Sequence, residues 1–242
     1  MLGIVNQCTM RERLNMKSHS VMAKPFTERA NFIEKNLAIL KNEALSQKSL
    51  KDIAVIEEKY NQIKKYSIPK IENATGYKFI NQNLFLFVFL YQEITMVFNE
   101  AGQILEKSVE ASLTGEDIAK MKEVSENRLT LAYIGDAVLE IGVLPSIWPQ
   151  SDLTFIPRND YLHNERGKVI ENIPLSHFWD FLKLYDEKTL KQPSNENDEN
   201  KGSSMEAVFG IIYLESGLEA VEEAIKNLKH YFETTKTEVI RI

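Results

Sequence analysis

The stretch Leu129-Thr-Leu-Ala-Tyr-Ile-Gly-Asp-Ala-Val-Leu-Glu140 decides how this chain is read. Leu131, Ile134, Val138 and Ile141 recur at three- and four-residue intervals, the period of an amphipathic helix. Asp136 lies on that helix, with Ala132 one turn before it. Residues three or four apart share a helix face, so a carboxylate and a methyl group occupy neighbouring places on one side. A second apolar stretch, Lys201-Gly-Ser-Ser-Met-Glu-Ala-Val-Phe-Gly-Ile-Ile-Tyr-Leu-Glu-Ser-Gly217, repeats the pattern. It carries Glu206 with Ser203 three residues earlier. Each predicted helix thus offers one acidic and one neutral position.

Two further stretches add to this. Ile71-Glu-Asn-Ala-Thr-Gly-Tyr-Lys-Phe-Ile-Asn-Gln-Asn-Leu-Phe-Leu86 opens the region, and Asn164-Glu-Arg-Gly-Lys-Val-Ile-Glu-Asn172 precedes the apolar Phe178, Phe181 and Leu182. Taken in order, the four stretches resemble the ribonuclease III family over about residues 71–230. The resemblance implies an all-α fold: a ribonuclease III-like helical domain with an N-terminal helical extension. In that family the first helix carries a Glu and an Asp four residues apart, and the second carries Asp-x-x-Glu. All four carboxylates serve Mg²⁺-dependent cleavage of double-stranded RNA by a dimer. Here Asp136 and Glu206 match, while Ala132 and Ser203 stand at the other two positions. Leu90-Tyr91 replaces the family's Thr-His.

Mg²⁺ takes oxygen ligands, and a paired-metal site needs enough negative charge to hold both ions. With two carboxylates missing, no catalytic or metal-binding residue is assigned. Asp136 and Glu206 read as remnants held by packing, since a fold does not carry its activity along. The compact bacterial relatives called Mini-III also show Leu-Ala-Tyr-Ile-Gly-Asp and lack the second Asp, yet are nucleases. An Mg²⁺-dependent endoribonuclease acting on ribosomal RNA precursors therefore stays as the alternative. An inactive partner of another ribonuclease III is a third. The expectation is no cofactor, or Mg²⁺ under the nuclease alternative.

Charge is unevenly distributed over the 242 residues. Residues 1–70 hold 13 Lys/Arg against 7 Asp/Glu, and the remainder 16 against 28. A basic leading segment before an acidic body points to RNA contact through the first part, because basic residues release counterions from phosphates. Arg11, Arg13, Lys17, Lys64 and Lys65 are the candidate RNA-binding residues. Arg128, Arg158, Arg166 and Lys168 read as ordinary surface charge. Residues 1–29 are basic, hydroxylated and poor in acid, the composition of a mitochondrial leader or of a disordered basic tail. A single cysteine, Cys8, excludes an intramolecular disulfide, and the scattered histidines lack zinc spacing. No uninterrupted apolar run approaches the roughly 18 residues of a membrane span.

The expected organisation is residues 1–29 as leader or tail, 30–70 as a basic helical extension, and 71–242 as the main domain. Removing 30–70 is expected to leave the body folded. Ser49-Leu-Lys-Asp52 reads as a capping box and Pro69 as a helix stop. Residues about 99–126, with seven acidic residues against three Lys, read as an acidic insertion. Residues about 191–204 read as a mobile loop, being polar and rich in turn formers. The 36 residues after Glu206 leave no room for a double-stranded-RNA-binding domain. Leu131, Ile134, Val138 and Ile141 are the expected dimer seam.

A damaged site, no RNA-binding domain and a leader-like start resemble the ribonuclease III-like proteins of the fungal mitochondrial large ribosomal subunit. That resemblance implies a structural role in the matrix ribosome. The partners would be ribosomal RNA, a homologous ribonuclease III-fold ribosomal protein or a second copy, and other mitoribosomal proteins, with no membrane span.

Overall fold

A computed structural model describes residues 3–41, 47–105, 114–148, 156–184 and 197–239; the side chains of residues 3–20, 101–105, 118, 121–122, 173 and 235–239 lie outside that description. The described chain is all-α. Its elements are α1 (Gly3–Leu40), α2 (Gln47–Gln62), α3 (Ile68–Thr75), α4 (Phe85–Phe89), α5 (Tyr91–Leu105), α6 (Gly115–Lys122), α7 (Val124–Gly142), α8 (Leu144–Ile147), α9 (Asn159–Ile170), α10 (Asn172–Phe181), α11 (Asp198–Ser216) and α12 (Leu218–Val239).

The centre of the fold is α11. Met205, Ala207, Val208, Phe209, Ile211, Ile212 and Leu214 are buried on every side of it. A helix apolar all round must be covered all round, and α7, α10, α12, α1 and α4 supply the cover. The α7 crossing is backbone against backbone. A Cβ on Gly135 would stand 1.8 Å from the Glu206 carbonyl oxygen, and one on Gly210 would stand 2.2 Å from that of Leu131. Glycine inside a helix costs about 1 kcal/mol relative to alanine, and here it permits a contact that no other residue allows.

The basic segment is part of this core. Ala30, Ile33, Leu37 and Leu40 of α1 and Ile53, Ile56 and Tyr60 of α2 are buried with the rest. The boundary expected at residue 29 falls inside α1, and 30–70 is structural rather than an appended arm. Pro69 does not stop a helix either. The chain runs from α2 through a π-helical turn, Ile63–Ser67, into α3, where Pro69 occupies the first turn and its missing N–H is not needed. Ser49 lies inside α2, buried, and not at a cap. The capping box is instead at Thr114 and Asp117, which cap α6 reciprocally.

Around the opening motif, α3 ends at Gly76 in the left-handed conformation (φ 70°). Glu215, at the end of α11, accepts from the backbone N–H groups of Ile80 (3.0 Å) and Asn81 (2.8 Å) and from the Tyr77 hydroxyl. Phe79 then stacks edge-on with both Tyr77 and Phe85.

The polar stretch 191–204 is split. Residues 191–196 lie outside the described residues, but 198–204 are the first turns of α11. Asn197 caps them by accepting from the Asn200 N–H (2.9 Å), and Lys201 reaches Asp180 at 2.9 Å. Of the acidic insertion, residues 106–113 lie outside the description; its flanks are the end of α5 and α6. One described stretch, Val124–Ile147, is long and apolar enough to cross a membrane by length and composition. The expectation of none required an uninterrupted run, which is stricter than an average. This stretch is α7 with α8, packed on α11 and α12.

α10 ends in paired turns: the Lys183 N–H donates to Asp180 O (3.0 Å) and the Leu184 N–H to Trp179 O (3.4 Å). This termination needs a left-handed residue, commonly glycine. Here it is Lys183, at φ 47°, a conformation that costs an L-residue about 1 kcal/mol.

Candidate functional site

The α7–α11 contact sets Asp136 beside Glu206, because Gly135 rests on the Glu206 carbonyl. Both carboxylates line a cleft of about 200 Å³, together with Glu140, Arg166, Ile170, Glu171 and Asn172. Arg166 reaches from α9 to form an ion pair with Glu140. The remnant carboxylates thus share one site.

Ala132 is buried in the hydrophobic core at 5 % exposure. Ser203 lies three residues before Glu206 on α11, so it shares that helix face. Burial pushes the Glu206 carboxyl up from its ordinary 4.5 to about 7. The charge of Asp136 adds to that rise, while Arg128 and the Ser203 hydroxyl oppose it. Near neutral pH this carboxyl is therefore divided between its two protonation states.

Arg128 is the residue that sequence reasoning placed wrongly. Read as surface charge, it is buried at 4 % exposure. It donates to Asn200 O (3.0 Å) and Ser204 Oγ (3.2 Å), and its guanidinium lies 4.6 Å from the ring centre of Tyr91. Arg128, Ala132 and Asp136 follow at four-residue intervals on one face of α7. That spacing from Asp136 was the available signal. Glu140 continues the same four-residue spacing, and Arg166, Glu171 and Asn172 lie in the stretch 164–172, but their convergence on the cleft comes only from the packing of α9 and α10.

No protein-family model matches this chain. No curated protein and no solved structure matches it either.

The donor set does not fit a paired-Mg²⁺ centre. Mg²⁺ requires near-octahedral oxygen donors. Among the described residues no group of three or more His, Cys, Asp or Glu is placed to hold a metal ion. Glu140 is engaged by Arg166.

The other expected residues are placed as follows. Of the seam set, Leu131 and Val138 are buried in this chain's own core, Ile134 is partly buried and only Ile141 is exposed. The outward apolar residues of α7 and α8 are instead Leu129, Tyr133, Ile141 and Leu144, with Trp148 just past α8, in steps of four, eight, three and four. The helical phase assigned to the seam pointed inward because the more apolar face of α7 meets α11. Arg11, Arg13 and Lys17 lie on α1, in the stretch without described side chains. Lys64 pairs with Glu34 and sits over the Tyr60 ring; Lys65 sits over Tyr66. Arg158 pairs with Asp160 and Lys168 with Glu165.

Proposed function

We propose that this chain is a non-catalytic, ribonuclease III-like structural protein of the mitochondrial large ribosomal subunit. In this reading it pairs with a homologous domain and contacts ribosomal RNA and neighbouring proteins. The observation that carries the non-catalytic part is the state of the Asp136–Glu206 cleft. One of the two neutral positions, Ala132, is buried in the core, and the other, Ser203, carries no charge. A site built to hold two divalent cations would present carboxylates at both positions.

The exposed row from Leu129 to Trp148 supports pairing. Contiguous exposed apolar surface marks interaction sites, and a two-fold or pseudo-two-fold contact through one helix face needs such a self-complementary row. The ribosomal and mitochondrial parts rest on the resemblance of the four sequence stretches and on the composition of residues 1–29.

The test is sedimentation of the tagged protein from a mitochondrial lysate at low and high salt. Stoichiometric, salt-resistant migration with the large subunit is expected. Migration as a free dimer, or absence from mitochondria, overturns the assignment. A Mg²⁺- or Mn²⁺-dependent cleavage assay on long double-stranded RNA, with Asp136→Asn as control, tests the nuclease alternative. Cleavage that disappears in the control establishes an enzyme.

A further inference from the structure

The Lys183 conformation described above is unfavourable and has a simple remedy, glycine. The turn sets the exposed Lys183 side chain at a contact between three elements. The Lys70 ammonium donates to the Lys183 carbonyl (2.8 Å), and Ser67 Oγ donates to Leu184 O (3.0 Å). These two bonds join the end of α10 to the π-helical turn and to α3. The same turn carries Lys65, whose ammonium lies 4.8 Å from the ring centre of the exposed Tyr66. Lys65, Lys70 and Lys183 form no ion pair with a carboxylate among the described residues, whereas neighbouring Lys64 is held by Glu34. Three lysines without a carboxylate partner among the described residues and an exposed aromatic ring are thus brought to one junction by the Lys70–Lys183 and Ser67–Leu184 contacts, on a chain whose net charge is −6.

We propose that Lys65, Tyr66, Lys70 and Lys183 form an RNA-contact site, taking backbone phosphates on the ammonium groups and a base on the Tyr66 ring. The inference rests on the reading that this protein contacts RNA, and it names where. Phosphate contacts of this kind are point-charge interactions that weaken with salt. Stacking on an exposed ring tolerates any base. The π-helical turn presents Lys65 and Tyr66 side by side, and the left-handed turn presents Lys183 from a different element, so the site draws on both segments of the chain.

The experiment uses the full chain and a labelled 20-nucleotide single-stranded RNA, with anisotropy measured across a KCl series. Lys65→Ala combined with Lys183→Gly is expected to weaken binding about tenfold at 100 mM salt and to reduce the slope of log K against log[salt] by about 1.4, roughly 0.7 for each lost phosphate contact. Lys183→Gly alone is expected to melt above the parent protein, which separates lost binding from lost folding. If the parent binds RNA and the double variant binds it equally with the same slope, the site is wrong and the RNA reading stands. If the parent binds neither this RNA nor a duplex of equal length, the RNA reading itself fails and the site with it. If the substitutions weaken binding of poly-glutamate but not of RNA, the junction serves an acidic protein and the proposal is overturned.

Discussion

Gly135 and Glu206 touch through their backbones: a Cβ on Gly135 would lie 1.8 Å from the Glu206 carbonyl oxygen. This contact fixes the α7–α11 crossing and, one residue further along α7, sets Asp136 at the mouth of the cleft. The geometry that pairs the two carboxylates is therefore demanded by packing, whatever their chemistry.

Gly135→Ala forces the two central helices apart. Overpacked cores lose about 1–3 kcal/mol and more when backbone must move, so a loss of at least about 3 kcal/mol is expected by urea denaturation. Gly210→Ala, whose Cβ would meet Leu131 O at 2.2 Å, behaves alike. Near-parental stability of either variant contradicts the backbone contact.

Glu206 gives a pH signature. Its carboxyl is raised to about 7 in the folded chain, so the folded state binds the proton more tightly than the unfolded state does. The stability that this provides is fully present below about pH 4.3, and is lost as pH rises through about 7. Glu206→Gln is expected to flatten that fall and to be more stable than the parent at pH 8 by ~1–2 kcal/mol, a figure discounted for partial exposure. Equal pH dependence of parent and variant, measured by denaturation at pH 4, 6 and 8, rules it out.

Arg128 holds two acceptors of α11 with one guanidinium. Arg128→Met leaves Asn200 O and Ser204 Oγ without that donor, an expected loss of ~2–4 kcal/mol. It also removes a positive charge that lowers the Glu206 pKa. Carboxyl ¹³C NMR should show Glu206 titrating at higher pH in the variant. An unmoved titration would place Arg128 outside the site's electrostatics. Arg128→Lys keeps the charge but not the fork, so it should rescue the titration more fully than the stability.

Tyr133→Glu and Ile141→Glu alter exposed residues of the outward row. Both are expected to change monomer stability by less than about 0.5 kcal/mol and to abolish pairing, read by sedimentation velocity. Retained pairing moves the partner surface elsewhere.

Deletion of 30–70 removes Ile33, Leu37, Leu40, Ile53, Ile56, Ile63 and Ile68 from the core. At roughly 1.5–3 kcal/mol for each buried aliphatic side chain, that exceeds or matches the usual 5–15 kcal/mol of a whole domain. The truncated chain is expected to lose cooperative unfolding by circular dichroism. A cooperative transition would show that 71–242 folds alone.

Much of the local organisation followed from residue order. Apolar periodicity places helices over about 160–171, 175–183 and 218–235, within a few residues of α9, α10 and α12, because apolar spacing is a one-dimensional property; it runs α6, α7 and α8 together as one helix over about 116–146. Asp136 and Glu206 were recognisable for the same reason, as carboxylates within apolar periodic stretches. Boundaries were less legible where a polar stretch gained partners. Residues 198–204 looked like a loop until Asn197 capped them and Asp180 compensated Lys201.

By itself, then, the sequence determined that the chain is helical, which residues are acidic or neutral at the two paired positions, and that basic charge concentrates in residues 1–70. Only the tertiary structure decided which face of α7 is inside, that 30–70 belongs to the core, that Arg128 is buried beside the cleft, and that Lys183 meets Lys70. Periodicity states that a helix has two faces but not which neighbour covers each. Burial, the pKa of Glu206 and the juxtaposition of cations depend on groups distant in sequence. Those distances are set by how closely the helices pack, and here two glycines set the central one.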